Sequence, residues 1–244
     1  MDNALKIARS LGKDAAVIRI LRNKDHATQL LDETFCVSSS NRRNESEVVF
    51  ENARTIEQSA LHRCIHLIDA GIGQIGDQNP YALALITRGH MESVAQLGYF
   101  CYQVSAFLSQ SISIGDLRDK LYAGLMGFAH KEMPDSPKPI QVMKCMDKSD
   151  VFFSRLTDSK EAGGLRDDYE WVSNYCHPNF LSFQLMMPGA VDEDYSSSKG
   201  RVLTKQNSYL ILSLAISTDR QRLFSERFVD LRKQLQNKLA QGNC

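Results

Sequence analysis

The chain carries no net charge: 29 lysines and arginines balance 29 aspartates and glutamates over 244 residues. Nothing at the level of the whole molecule drives it toward nucleic acid or an anionic membrane, although a local basic patch is still allowed. No C-x-x-C occurs among the six cysteines, Cys36, Cys64, Cys101, Cys145, Cys176 and Cys244, which argues against a zinc ribbon. Met1-Asp-Asn-Ala-Leu-Lys6 has no signal-peptide pattern, so reduced thiols and a cytoplasmic location are expected. Neither G-x-x-x-x-G-K nor G-x-S-x-G is present. Gly71, Gly73 and Gly76 imitate a G-x-G pattern but follow a helical segment rather than a strand. Internal repeats are absent as well.

Charge is scarcest from Gln78 to Gly115, where Arg88 and Glu92 are the only formally charged side chains. The apolar run from Tyr81 to Leu108 raises the question of a membrane span. Arg88, His90, Glu92, Gln96 and Gln103 interrupt it, so a buried helix is expected and no membrane partner. That helix has two apolar faces: Leu83, Ile86, His90, Val94, Leu97, Cys101, Val104 and Leu108 on one, Leu85, Ala95, Tyr99 and Tyr102 on the other. Such a helix is central to a bundle or lies between a bundle and a second subunit. Before it, Glu45 to Ile75 carries one apolar stripe, with glutamates in its early turns where carboxylates favour the helix dipole. The short connection through Asn79-Pro80 predicts that the two long helices pair antiparallel.

The rest of the chain also reads as helix. Helices are expected over 2–22, over 26–35, over 116–130, briefly over 139–146, over 165–176 and over 208–240, the last with a break near Ser217-Thr-Asp219. Val151 to Leu156 is apolar and short. A small β-hairpin is expected near 180–204, around an acidic loop holding Asp192, Glu193 and Asp194. The fold class is therefore all-α: a single helical domain over 1–244, with an N-terminal helical extension over 1–36 and a bundle over 45–240. The first helix is mainly basic on its polar face, through Lys6, Arg9, Lys13, Arg19 and Arg22, which reads as a solvated face or as a weak phosphate-facing patch.

Three groups bear chemistry. His62, His66 and Asp69 share one helix face at a metal-ligand spacing, but opposite the apolar stripe and without the H-E-x-x-H pattern. A solvated polar face is the expectation there, with no metal and no cofactor. Arg88 and Glu92 stack four residues apart inside an apolar helix, where a charge pair is costly unless other groups satisfy it. The third group is Tyr169-x-x-x-Ser173-x-x-x-His177-Pro-Asn179. Pro178 should end the helix at His177, where a helix C-terminus favours a protonated imidazole.

The order of these parts, a long helix, then Thr87-Arg-Gly-His-Met-Glu92 in a second, then the Tyr169 to Asn179 segment, resembles the HEPN-like helical proteins of bacteria over about Glu45 to Leu212. The resemblance implies an all-helical bundle, commonly a homodimer, of the kind found in toxin–antitoxin, abortive-infection and other RNA-directed defence systems. Catalytic HEPN ribonucleases carry an arginine four to six intervening residues before the histidine; here those positions are Glu170, Trp171 and Val172. If the chain is a metal-independent endoribonuclease, His177 is the candidate acid or base and Arg88 the candidate cation at the phosphorane. Glu92 would orient Arg88, while Tyr169, Ser173 and Asn179 would supply hydrogen bonds. The alternative is a non-catalytic helical interaction or sensor subunit of a larger complex, in which Arg88 and Glu92 bridge helices. RNA, a second copy and a partner protein are the partners these readings imply.

Overall fold

The computed structural model describes residues 1–32, 44–128, 134–158, 164–179, 181–182 and 202–241. Among these the regular elements are all helices: α1 (Asp2–Ser10), α2 (Asp14–Gln29), α3 (Glu45–Gly76), α4 (Pro80–Leu108), α5 (Ile114–Met126), α6 (Val142–Thr157), α7 (Leu165–Ser173) and α8 (Tyr209–Ala240). The fold is all-α. The hairpin expected near 180–204 falls almost entirely outside the described residues, and 202–204 form no strand. No described helix is long and apolar enough to cross a membrane.

The chain divides into two compact units. The first comprises Met1–Gln29, Arg63–Ser93 and Gly163–Arg222. Its core is built from Ala8, Val17 and Ile20 of the N-terminal helices, Ile68 and Ile75 of α3, Leu83 of α4 and Leu210 and Leu214 of α8. The second comprises Leu30–His62, Val94–Ala162 and Leu223–Cys244. There Val49, Leu97, Phe100, Leu121, Phe152, Phe224 and Phe228 are buried.

Helix ends follow local chemistry. The sequence pattern predicts one helix over 2–22, but the chain breaks at Gly12, whose φ of 68° is left-handed. The Gly12 N–H donates to Arg9 O (3.1 Å) and the Lys13 N–H to Ala8 O (2.7 Å), the paired bonds of a Schellman cap. The second helix then continues through the segment expected to start anew at His26, and ends at Gln29. The same cap closes α3 at Gln78 (φ 54°), where Gln78 and Asn79 donate to Ile75 O (3.2 Å) and Gln74 O (2.9 Å). Asn79 Oδ1 then accepts the Ala82 N–H (3.1 Å) and Pro80 takes the first helical position, so one short turn ends α3 and starts α4. A reciprocal Ser113/Asp116 capping box opens α5.

Two segments are longer than the pattern predicts. The residues 151–156, read as a short apolar piece, belong to the single helix α6. No break interrupts α8 at Ser217-Thr-Asp219, where Thr218 Oγ1 donates back to Ala215 O (2.8 Å) and Ser217 is bonded to His90.

In the second unit, α4, α6 and α8 meet at Gly98. A Cβ there would lie 2.5 Å from Ser149 Cβ and 2.7 Å from Phe224 Cε2. Gly98→Ala should lower stability by about 1–3 kcal/mol despite alanine's better helix propensity, since the Ser149 Cβ cannot rotate away. A urea melt against the parent protein checks this, and an unchanged midpoint would contradict the close approach.

Candidate functional site

The Arg88–Glu92 pair and Tyr169 meet in the first unit. Arg88 Nε lies 3.2 Å from Glu92 Oε1, the i,i+4 contact that the spacing predicts, and donates to Tyr169 Oη (3.2 Å). Tyr169 Oη in turn donates to Glu92 Oε1 (3.0 Å). The three side chains thus close a ring of hydrogen bonds between α4 and α7, and the guanidinium also stands over the Tyr169 ring, 5.4 Å from its centroid. Arg88 and Glu92 keep 29% and 26% of their side-chain surface exposed, so the centre is reachable from water.

The first turn of α7 is anchored by buried Leu165 and by the Asp168–Arg220 ion pair (3.7 Å). Val172 packs beneath, and Trp171 leans on Tyr209 with ring centroids 4.0 Å apart. These contacts turn Tyr169 toward α4. Burial works against the charge on Arg88, but the bond to Tyr169 and the nearby Glu92 outweigh it, and its pKa rises. Burial raises the pKa of Tyr169, and Glu92 raises it further. At neutral pH the centre therefore holds a cation beside a protonated phenol, with Glu92 Oε1 accepting from both.

Cys176 belongs to this centre too. Its thiol donates to Val172 O (3.5 Å); burial raises its pKa while the charge of Arg88 pulls the other way. The helix itself is shorter than expected, ending at Ser173 and continuing as turns in which Tyr175 and Cys176 donate to Val172 O and Ser173 O (both 3.0 Å).

The other residues of the late segment stand apart. Ser173 Oγ is buried without a hydrogen-bond partner among the described residues. Asn179 is occupied locally: its Oδ1 accepts the Ser182 N–H (3.1 Å) and its own N–H donates to Ser182 Oγ (3.1 Å). The ring of His177 is exposed, and among the described residues no hydrogen bond or ion pair joins it to Arg88, Glu92 or Tyr169. Its carbonyl accepts the Asn179 N–H (2.8 Å) in the turn after Pro178.

His62, His66 and Asp69 are exposed, and Asp69 is taken by Lys24. Among the described residues no group of three histidines, cysteines or acids is placed to hold a metal ion.

A second polar group surrounds His90. The sequence places this histidine on an apolar face of the helix, and it is fully buried. Nδ1 lies 2.8 Å from Ser217 Oγ and Nε2 lies 3.0 Å from Gln221 Oε1. An amide oxygen only accepts, so Nε2 carries the proton and Nδ1 accepts from the serine. The arrangement has the connectivity of a nucleophile, base and orienting group. Ser217 and His90 are 0% exposed and Gln221 1%, so no substrate can reach the hydroxyl. Burial also pulls the His90 pKa down to about 4, leaving a neutral ring that joins α4 to α8. The accessible polar centre is therefore the one at Arg88.

No family model matches the chain, and neither the curated proteins nor the solved structures contain a match to it.

Proposed function

We propose that the chain is a HEPN-like helical protein that acts on or binds RNA in a bacterial toxin or antiviral defence setting, working in the cytoplasm as a homodimer. The observation that carries this reading is the hydrogen-bonded ring of Arg88, Glu92 and Tyr169, because it joins the two segments on which the resemblance rests. The same reading takes α3 and α4 as an antiparallel central pair. Support comes from Gly89 facing Leu67 and from Gly71 facing Ile86 and Leu83, with partners on α4 falling as those on α3 rise.

In this reading Arg88 faces the phosphate and neutralises charge as it develops. Glu92 and Tyr169 hold the guanidinium in place by engaging its Nε. The exposed His177 imidazole is the group that moves a proton at the 2′-hydroxyl or the leaving oxygen. An RNA-cleavage and cell-toxicity assay of the parent, Arg88→Ala and His177→Ala tests it. The expected result is a loss of cleavage and toxicity of at least about a hundredfold in both variants. Equal behaviour of all three would remove the enzymatic reading.

A second reading, a non-catalytic helical interaction or sensor subunit of a larger complex, is favoured by one specific observation. His177 makes no contact with the Arg88 centre among the described residues, and no arginine precedes it at 170–172. In that case Arg88→Ala and His177→Ala leave RNA cleavage as in the parent, and Arg88→Ala acts on stability through the lost bridge between α4 and α7.

A further inference from the structure

Both contacts that Glu92 makes at the Arg88 centre go through one oxygen. Oε1 accepts from Arg88 Nε (3.2 Å) and from Tyr169 Oη (3.0 Å), while Oε2 carries no hydrogen bond among the described residues. Two donors on Oε1 fix the carboxyl group and leave its second oxygen to a ligand. The side chain is partly exposed, so that oxygen lies at the accessible edge of the centre. Arg88 is divided in the same way. Its bonds to Glu92 and Tyr169 both use Nε, and neither occupies the Nη donors. One turn of α4 thus presents a cation and, beside it, an acceptor oxygen. The other titratable side chains there are poorer acceptors. Tyr169 is buried and donates its hydroxyl hydrogen to Glu92, and the Cys176 thiol is engaged with Val172 O.

Cleavage through a 2′-hydroxyl needs such a pair of neighbours. The hydroxyl and the phosphorus it attacks are joined through one ribose, so the base must stand beside the cation that holds the phosphate. A second group must protonate the leaving oxygen on the far side of phosphorus, and one imidazole cannot stand in both places. We propose that Glu92 Oε2 is the general base of the site and takes the proton of the 2′-hydroxyl, which leaves His177 as the acid at the leaving oxygen. This role rests on the ribonuclease reading and adds a proton transfer to a side chain that there only holds Arg88. The 2′ O–H proton passes to Oε2 and the 2′ oxygen forms a bond to phosphorus. The bond from phosphorus to the 5′ oxygen breaks, and that oxygen takes a proton from the His177 imidazolium. The products are a 2′,3′-cyclic phosphate and a 5′-hydroxyl end, and exchange with water returns both side chains to their starting states. Oε1 stays on Arg88 and Tyr169 throughout, so the base keeps its aim.

Glu92→Gln tests the role, because an amide oxygen still accepts from Arg88 and Tyr169 but the amide takes up no proton at neutral pH. Cleavage of single-stranded RNA by the full chain is expected to fall at least about a hundredfold. Binding of the same strand built from 2′-deoxyribose, which cannot be cleaved, is expected to be at least as tight as in the parent, since a negative charge beside the phosphate is gone. A second substrate separates base from acid. A strand whose leaving 5′ oxygen is replaced by sulfur needs no proton there, so it is expected to restore cleavage by His177→Ala but not by Glu92→Gln. Cleavage by Glu92→Gln at the parent rate would overturn the role of Glu92 and leave the ribonuclease reading standing. Loss of deoxy-strand binding together with cleavage would overturn it in favour of a side chain that only positions Arg88. Recovery of Glu92→Gln on the sulfur strand would overturn it in favour of an acid. A parent that cleaves neither strand would overturn the ribonuclease reading and this role together.

Discussion

Arg232→Ala is expected to destabilise the protein by about 3–5 kcal/mol at pH 8, because it removes the cation that pairs a carboxylate in the core. Glu57 is 0% exposed, and Arg232 Nε lies 2.7 Å from its Oε2. The contact is held by charge rather than by a well-aligned hydrogen bond. Burial pushes the Glu57 pKa up to about 7 against the pull of Arg232, with Asp32 adding to the rise and Arg54 opposing it. A carboxyl whose pKa is raised on folding contributes most below its unfolded value, 4.5, and loses that contribution as pH climbs through 7. Without Arg232 the folded pKa rises further and Glu57 takes up a proton instead of remaining charged, so the penalty grows as pH climbs above 7 and is smaller at pH 5, where Glu57 is neutral in both proteins. For a chain of this size the loss at pH 8 corresponds to a fall in Tm of roughly 10 °C. Thermal melts at pH 8 and pH 5 measure it, and a loss that is equal at the two values would contradict the buried carboxylate.

His90 should produce the opposite slope. Its pKa is lowered by burial to about 4 from 6.5, so its contribution is present above 6.5 and is lost as pH falls through 4. The full shift is worth roughly 3 kcal/mol. Between pH 4.5 and 6.5 the folded protein holds about one extra proton at Glu57 and lacks about one at His90, and the two slopes offset each other. His90→Asn is expected to cost about 1–3 kcal/mol at pH 7, by leaving Ser217 or Gln221 without a partner. It should also remove the acid limb, so the difference from the parent narrows as pH falls toward 4. Urea melts at pH 7 and pH 4.5 check both parts. A His90 ring that protonates near 6.5 by nuclear magnetic resonance would contradict the assignment.

These two residues show where the sequence stops being legible. The helices of α3 and α4 can be read from apolar spacing, and the Arg88–Glu92 contact from a separation of four on one helix. Glu57 cannot be found that way. It sits among several glutamates of α3, and what sets it apart is a partner on α8 far along the chain. His90 falls on an apolar stripe, and only the approach of Ser217 and Gln221 makes that stripe position polar. Gly12 is a different case. The apolar period continues across it, but a glycine is the residue that the left-handed end of a Schellman cap favours, so the stop of α1 is written in the sequence as a glycine rather than as a lapse in the period. At the candidate site the segment from Tyr169 to Asn179 was legible as a polar stretch. Which of its side chains reaches Arg88 is not, because the helix ends at Ser173, so Tyr169 meets Arg88 while the turns after the helix leave the His177 ring in solvent.

The central claim is that the Arg88, Glu92 and Tyr169 centre contacts RNA, and photo-crosslinking measures it most directly. Single-stranded RNA carrying 4-thiouridine, irradiated with the full chain and mapped by mass spectrometry, is predicted to label the segment from Tyr169 to Asn179. Arg88→Ala should reduce that labelling at least about tenfold, since one charge-assisted phosphate contact is lost. Labelling confined to other segments, or unchanged in Arg88→Ala, would contradict the claim.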